Sequence, residues 1–207
     1  MRDLVRAEFE RMTDILRRNG FHLTFDQPVL AHELSDAEAA TGIRFDEGLR
    51  ALYSLASGSL RRTCLAVLTD ELTPCCLVSL QDTVAWWREW LPYDDRIHMQ
   101  FWGDNGPRGE VGRDPRIQPD CFVNRSWLPI AEFNGWSTAV YFDAAPTTKG
   151  SYGQIIAYQH DPDAVYFLAE NIVGFLRISN DRLETHAKDL LFCDGRPSSF
   201  SPPPIQQ

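Results

Sequence analysis

The chain reads as one α+β domain, a twisted mixed or antiparallel sheet flanked by helices. Three observations predict it. Apolar residues fall at helical spacing near both ends, short alternating runs cluster between residues 127 and 159 around an Asn-Gly turn, and no regular βαβ alternation separates the two patterns. With 207 residues, 43% hydrophobic and 24% charged, the chain is long enough to bury one substantial core without metal or disulfide staples.

The elements follow in order. Val5, Phe9, Met12 and Leu16 share one helical face, and Asn19-Gly20 stops that helix, so residues 1–30 read as an N-terminal helical extension. Ser35 with Glu38 suggests a capping box opening a short helix that runs to about Thr41. Asp46 opens another, with Leu49, Leu52, Tyr53 and Ala56 on one face and Ser57-Gly58 as its close. Leu60–Leu68 and Cys76–Leu80 read as strands. Ser79 and Asp82 cap a helix carrying Trp86, Trp87 and Trp90, large aromatics whose helical spacing points to core packing and not to a cofactor box.

Residues 93–126 form an irregular insertion dense in Asp, Gly and Pro, the kind of long loop that carries function. Two strands then flank Asn134-Gly135, with Trp136, Thr138, Val140 and Phe142 alternating along the second. Gln154–Tyr158 is a further strand, and Glu170–Arg177 a helix. The domain proper spans 31–192, and the Pro/Ser-rich end, 193–207, reads as a disordered tail.

Composition excludes several classes. Twenty basic against 29 acidic residues leave a net charge of −9, unsuited to binding phosphate backbones, so no direct nucleic-acid partner is expected. The acid is spread along the chain, as plain solubility would also require. No apolar run approaches the roughly 20 residues of a spanning helix, and the N-terminus lacks a signal-peptide core. Five cysteines at irregular spacing fit neither a disulfide framework nor a zinc ribbon, so a cytoplasmic protein with reduced thiols is expected. Lysine supplies only Lys149 and Lys188 of the 20 basic residues, a composition that suits a GC-rich bacterial source.

Catalytic motifs are missing. There is no P-loop, GxSxG elbow, HExxH or GxGxxG, and the five histidines lie far apart, so no catalytic residue, metal site or cofactor is assigned. His160-Asp161 reads as a turn more readily than as a base with its orienting carboxylate.

The stretch from Trp127 to Leu176 resembles the Smi/Knr-type cell-wall-assembly-regulator family of the SUKH superfamily. Trp127-Leu128-Pro129-Ile130-Ala131, Asp143 before Pro146, Gly150, Gly153-Gln154-Ile155 and the His160-Asp161 turn carry the likeness, with Trp136 between them. Upstream, Leu34-Ser35, Glu38 and Leu49 to Gly58 are similar to the family's first helical pair. The residues themselves read as structural positions: Gly150 and Gly153 allow a tight loop, Trp127 and Trp136 fill a core, and Asp143 bonds the loop that follows it.

The resemblance implies a non-catalytic binding protein. Two roles stay open: an immunity protein neutralising a cognate, basic bacterial toxin by occlusion, or a regulatory scaffold for cell-wall or envelope (glucan) synthesis. An enzyme is the third reading. For the first role the candidate contacts are acidic and aromatic residues on irregular segments: Tyr93, Asp94, Asp95, Trp102, Asp104, Glu110 and Asp161.

Overall fold

The computed structural model describes residues 1–93, 114–118, 123–160 and 163–204. Helices α1 (Arg2–Arg18), α2 (Ala31–Thr41) and α3 (Glu47–Tyr53) precede strands β1 (Thr63–Leu68) and β2 (Leu72–Leu77). Helix α4 (Leu80–Trp90) runs into a single 3₁₀ turn, Leu91–Tyr93. Strands β3 (Trp127–Phe133), β4 (Thr138–Asp143), β5 (Gln154–Gln159) and β6 (Ala164–Ala169) follow, then helix α5 (Ile172–Leu191) and the two-residue strands β7 (Phe192–Cys193) and β8 (Arg196–Pro197).

Every described pairing is antiparallel, and the large sheet is a six-stranded meander, β1 to β6 in chain order. It curls: Thr69, just past β1, donates its hydroxyl to the Gln159 side chain at the end of β5. Helix α5 packs across the inner face, chiefly on α1 and β1. That face holds the main core, in which Leu16, Leu49, Leu128, Phe142, Ile155 and Leu183 are fully or nearly fully buried. Helix α1 belongs to this core through Val5, Met12, Ile15 and Leu16. Its polar side meets α5 in a seam of Arg11 to Asp181 and Glu184, at 2.7 and 2.6 Å, and of Asn180 to the Glu8 carbonyl at 2.8 Å. Exposed pairs of this kind orient helices more than they stabilise them.

Local chemistry moves several expected boundaries. Helix α2 begins one turn earlier than the Ser35–Glu38 pattern predicts, because Glu33 accepts from the Leu30 N–H at 2.7 Å. Ser35 therefore lies inside the helix, bonded to the Ala31 carbonyl, while Glu38 accepts from Phe45 N–H at 2.7 Å and pairs with Arg50. Asp46 does cap α3, accepting from Leu49 N–H at 2.7 Å, and Ser79 caps α4 through Asp82 N–H at 3.0 Å.

The Asn-Gly hairpin is wider than a two-residue turn. Asn134, Gly135 and Trp136 all have positive φ, at 49°, 66° and 73°, so Trp136 belongs to the turn and not to β4. For a bulky residue this is a strained conformation of order 1–3 kcal/mol. Glu132 holds it by accepting from Trp136 N–H at 3.2 Å, and Ser137 ties the turn to the Phe133 carbonyl at 3.0 Å.

Of residues 193–207, read from composition as a disordered tail, 193–204 run back along the domain in the structure. Their contacts are long-range, with the backbone of Thr63 and His22, the Arg62 guanidinium and the Phe133 ring, and a Pro/Ser count does not register them.

Candidate partner-binding face

The outer face of the sheet carries a second, aromatic cluster. Alternation along the strands puts Ala139 and Tyr141 of β4, Ile156 and Tyr158 of β5, and Val165 and Phe167 of β6 on it, beside Trp127. Helix α4 contributes Trp86, whose ring stacks on Trp136 at 3.8 Å and 21°, with Trp90 at 5.0 Å and Tyr141 at 6.0 Å. Trp86, Trp87 and Trp90 are only half-buried; the fully sequestered residues of α4 are Leu80 and Thr83. Trp87 packs against the main core and donates its indole N–H to the Arg125 carbonyl at 2.8 Å, whereas Trp86 packs on the outer-face cluster, so the core packing expected from their spacing is met from half-buried positions on two clusters. The stack with Trp86 offsets part of the strain at Trp136.

Pro129 has a specific use here. The register shifts between Pro129 and Ala131, and the Pro129 carbonyl accepts the Thr83 hydroxyl at 2.8 Å, which pins α4 to β3. Thr83 in turn bonds the buried Tyr53 hydroxyl at 3.0 Å, linking this face to α3.

The remaining signature residues anchor a loop. Asp143 and Gln154 face each other across β4 and β5, both fully buried. The Asp143 carboxylate accepts from Ala145 N–H and from the Gln154 side-chain amide, each at 2.9 Å. That amide also donates to the Arg116 carbonyl at 3.0 Å, while the Gln154 oxygen accepts from Ser151 N–H at 3.3 Å. Burial pushes the Asp143 carboxyl up, against the Ala145 and Gln154 bonds and the nearby Trp127 indole, which favour its charged form. The Trp127 N–H itself forms no hydrogen bond of normal geometry.

Gly150 completes the anchor. A Cβ there would lie 2.5 Å from the Gln154 side-chain oxygen and 2.8 Å from the Arg116 carbonyl, so only glycine fits. Gly153, at φ +82°, is needed for conformation as well as space, since a Cβ would meet the Phe142 ring at 2.8 Å.

Residues 114–118 are thereby latched. Thr147 N–H donates to the Arg116 carbonyl at 3.0 Å, the Thr147 hydroxyl to Pro115 at 2.6 Å, and the Gln118 amide to Ala145 at 3.1 Å. Ile117 is buried in the aromatic cluster. The Arg116 guanidinium lies 3.2 Å above the Phe167 ring and pairs with Asp114 and Glu170, each at 2.7 Å, and it holds the Asp114 carboxyl below its ordinary value. Sequence reasoning missed Arg116 and Gln118, because they sit in an irregular stretch with no periodicity to mark them.

Of the predicted contacts, Tyr93 ends the 3₁₀ turn after α4. Asp94, Asp95, Trp102, Asp104, Glu110 and Asp161 lie outside the described residues. His160 bonds Asp163 at 2.9 Å, and Asp163 also accepts the Tyr158 hydroxyl at 2.5 Å, an exposed cluster at the β5–β6 turn. Cys64, Cys75 and Cys76 are buried, and desolvation raises all three thiols, Cys64 to about 11. Such thiols are poor nucleophiles. Among the described residues no three His, Cys, Asp or Glu side chains gather as a metal site, and no helix is long and apolar enough to cross a membrane. A groove of about 1090 Å³ borders α2 and α3, where Arg2, Arg44 and Arg50 are balanced by Glu38, Asp46 and Glu47, so it generates no single-sign field.

The domain is a curled antiparallel meander with α1, α3 and α5 on its inner face and α4 and a latched loop on its outer face, and the signature residues Asp143, Gly150 and Gln154 hold that latch. Residues 28–178 match the model of the SMI1 / KNR4 family (SUKH-1), and the chain belongs to that family. The family is generally non-catalytic, and membership supports a protein-binding role at that level. No curated protein matches the chain.

Proposed function

We propose that this protein is a cytoplasmic immunity protein that binds one cognate bacterial toxin domain and occludes its active site or substrate groove. Membership of the SMI1/KNR4 family carries the reading. The net charge of −9 supports a basic partner, since opposite fields accelerate encounter and suppress wrong partners. The contacts proposed are Tyr93, Asp94, Asp95, Trp102, Asp104, Glu110 and Asp161. Within the 93–126 stretch, Arg116 is bonded to the Gln154 amide beside Asp143, and this attachment of residues 114–118 to the sheet supports the reading.

The test is to express the toxin domain encoded beside this gene and titrate it with the purified protein. A one-to-one complex that abolishes toxin activity is expected, weakened and made less salt-dependent when Asp94, Asp95 and Asp104 become Asn. Unchanged affinity and salt dependence would remove the acidic contacts. Absence of any complex, with an envelope-synthesis enzyme as the neighbouring gene product, would replace immunity by wall regulation.

A further inference from the structure

Beyond Pro197 the chain lies in a seam between the α1 exit and the N-terminal end of β1. Thr63 N–H donates to the Phe200 carbonyl at 2.8 Å, and His22 N–H to the Pro203 carbonyl at 2.9 Å. The Arg62 guanidinium reaches over the segment to the carbonyls of Ser199 and Ser201, at 2.8 and 3.2 Å. Phe200 packs edge-on against Phe133 at 5.3 Å, and Ser201 and Pro202 are buried. Ser201 also donates its hydroxyl to the Leu191 carbonyl.

Those contacts have the form of peptide recognition. Ser201 N–H closes a turn on the Ser198 carbonyl at 3.0 Å, and main-chain carbonyls of this turn and of the prolines after it are read by two backbone N–H groups and one arginine, with an aromatic side chain as the anchor and consecutive prolines lowering the ordering entropy. The segment SSFSPPP carries no charge, so its hold depends on these few bonds, and it follows a tight Asp194-Gly195 turn (φ 50° and 74°) that gives it a hinge. Few contacts and a half-exposed anchor place it among the parts of a protein that open locally before the core does.

We propose that the seam of His22, Arg62, Thr63 and Phe133 is a binding site for a Ser-Ser-Phe-Ser turn running into prolines, filled in cis by residues 198–204 and open to the same segment of a second copy of this chain when the first is displaced. The site does not depend on the immunity reading. Strand β1 needs no such cover further along, because Ala66 N–H is taken by the Ser179 hydroxyl of α5 at 2.8 Å.

The experiment uses a chain ending at Pro197 and a synthetic peptide of residues 196–204. One-to-one binding is expected, with exchange protection returning to the Thr63 and His22 amides, and with affinity falling about tenfold for a Phe200→Ala peptide. A folded truncated chain that ignores the peptide would overturn the proposal. Should truncation prevent folding, full-length Arg62→Ala decides: hydrogen exchange at Thr63 and His22 should accelerate about tenfold while Ala66 is unchanged. Equal exchange at all three amides in the two proteins would refute the site.

Discussion

The two faces of the sheet are covered by different physics. The inner face is closed by α1, α3 and α5 around one large core of mostly aliphatic side chains with Phe21, Phe45, Tyr53, Phe142 and Phe175, and its stability scales with apolar area removed from water. The outer face is closed by stacked tryptophans and by a loop whose backbone is held through Asp143, Gln154 and Gly150. Damage to the first should therefore unfold the domain. Damage to the second should loosen the latched segment and leave the sheet standing.

Substitutions can break or sharpen that contrast. Phe142→Ala, at a fully buried inner position, should cost about 3–5 kcal/mol in denaturant unfolding, with all probes moving together. On the outer side Gly150→Ala should cost about 2 kcal/mol, because the new Cβ displaces the Arg116 carbonyl, and it should raise exchange at the Thr147 amide far more than in β1. A uniform rise in exchange across the sheet would erase the distinction between the faces.

Asp143→Asn should cost about 1–2 kcal/mol, since the Gln154 amide then faces a side chain that is no longer a pure acceptor. Its pH dependence has a defined sign. Burial raises the Asp143 carboxyl in the folded state above its ordinary 3.8, so as pH falls through that raised value the native state takes up a proton before the unfolded one. The parent protein therefore gains stability on the variant as pH is lowered from neutral toward about 4. Asp46, also raised by burial, is common to both proteins and cancels. A gap that shrinks over this range would contradict the assignment.

The smallest effect concerns the strained turn. Trp136→Gly should be less damaging than Trp136→Ala by about 0.5–1 kcal/mol, because both lose the Trp86 stack but only glycine relieves φ +73°. Equal thermal stabilities would mean the turn relaxes instead of storing strain.

Much of the inner architecture was legible residue by residue. Val5, Met12 and Leu16, Asp46 before Leu49, Ser79 before Asp82, and the alternation of β4 each announce an element through a local period or cap. The failures have local causes too. Glu33 out-competed Ser35 and Glu38 for the start of α2, and three positive φ angles widened the Asn-Gly turn and took Trp136 out of its strand. The latch was not legible, because Arg116 meets Gln154 and Thr147 across 38 and 31 positions of chain with no pattern linking them.

By itself the sequence determined the α+β class, the antiparallel hairpins and the family signature, since periodicity, caps and turns act within a few residues. Only the tertiary structure decided what the signature is for. The curl of the sheet brings the ends of β4 and β5 beside residues 114–118, and a buried carboxylate, an amide and a missing Cβ hold that loop because no water can reach there to take their place. It decided as well that residues 198–204 occupy a seam, a contact set by backbone geometry and one arginine and invisible to composition.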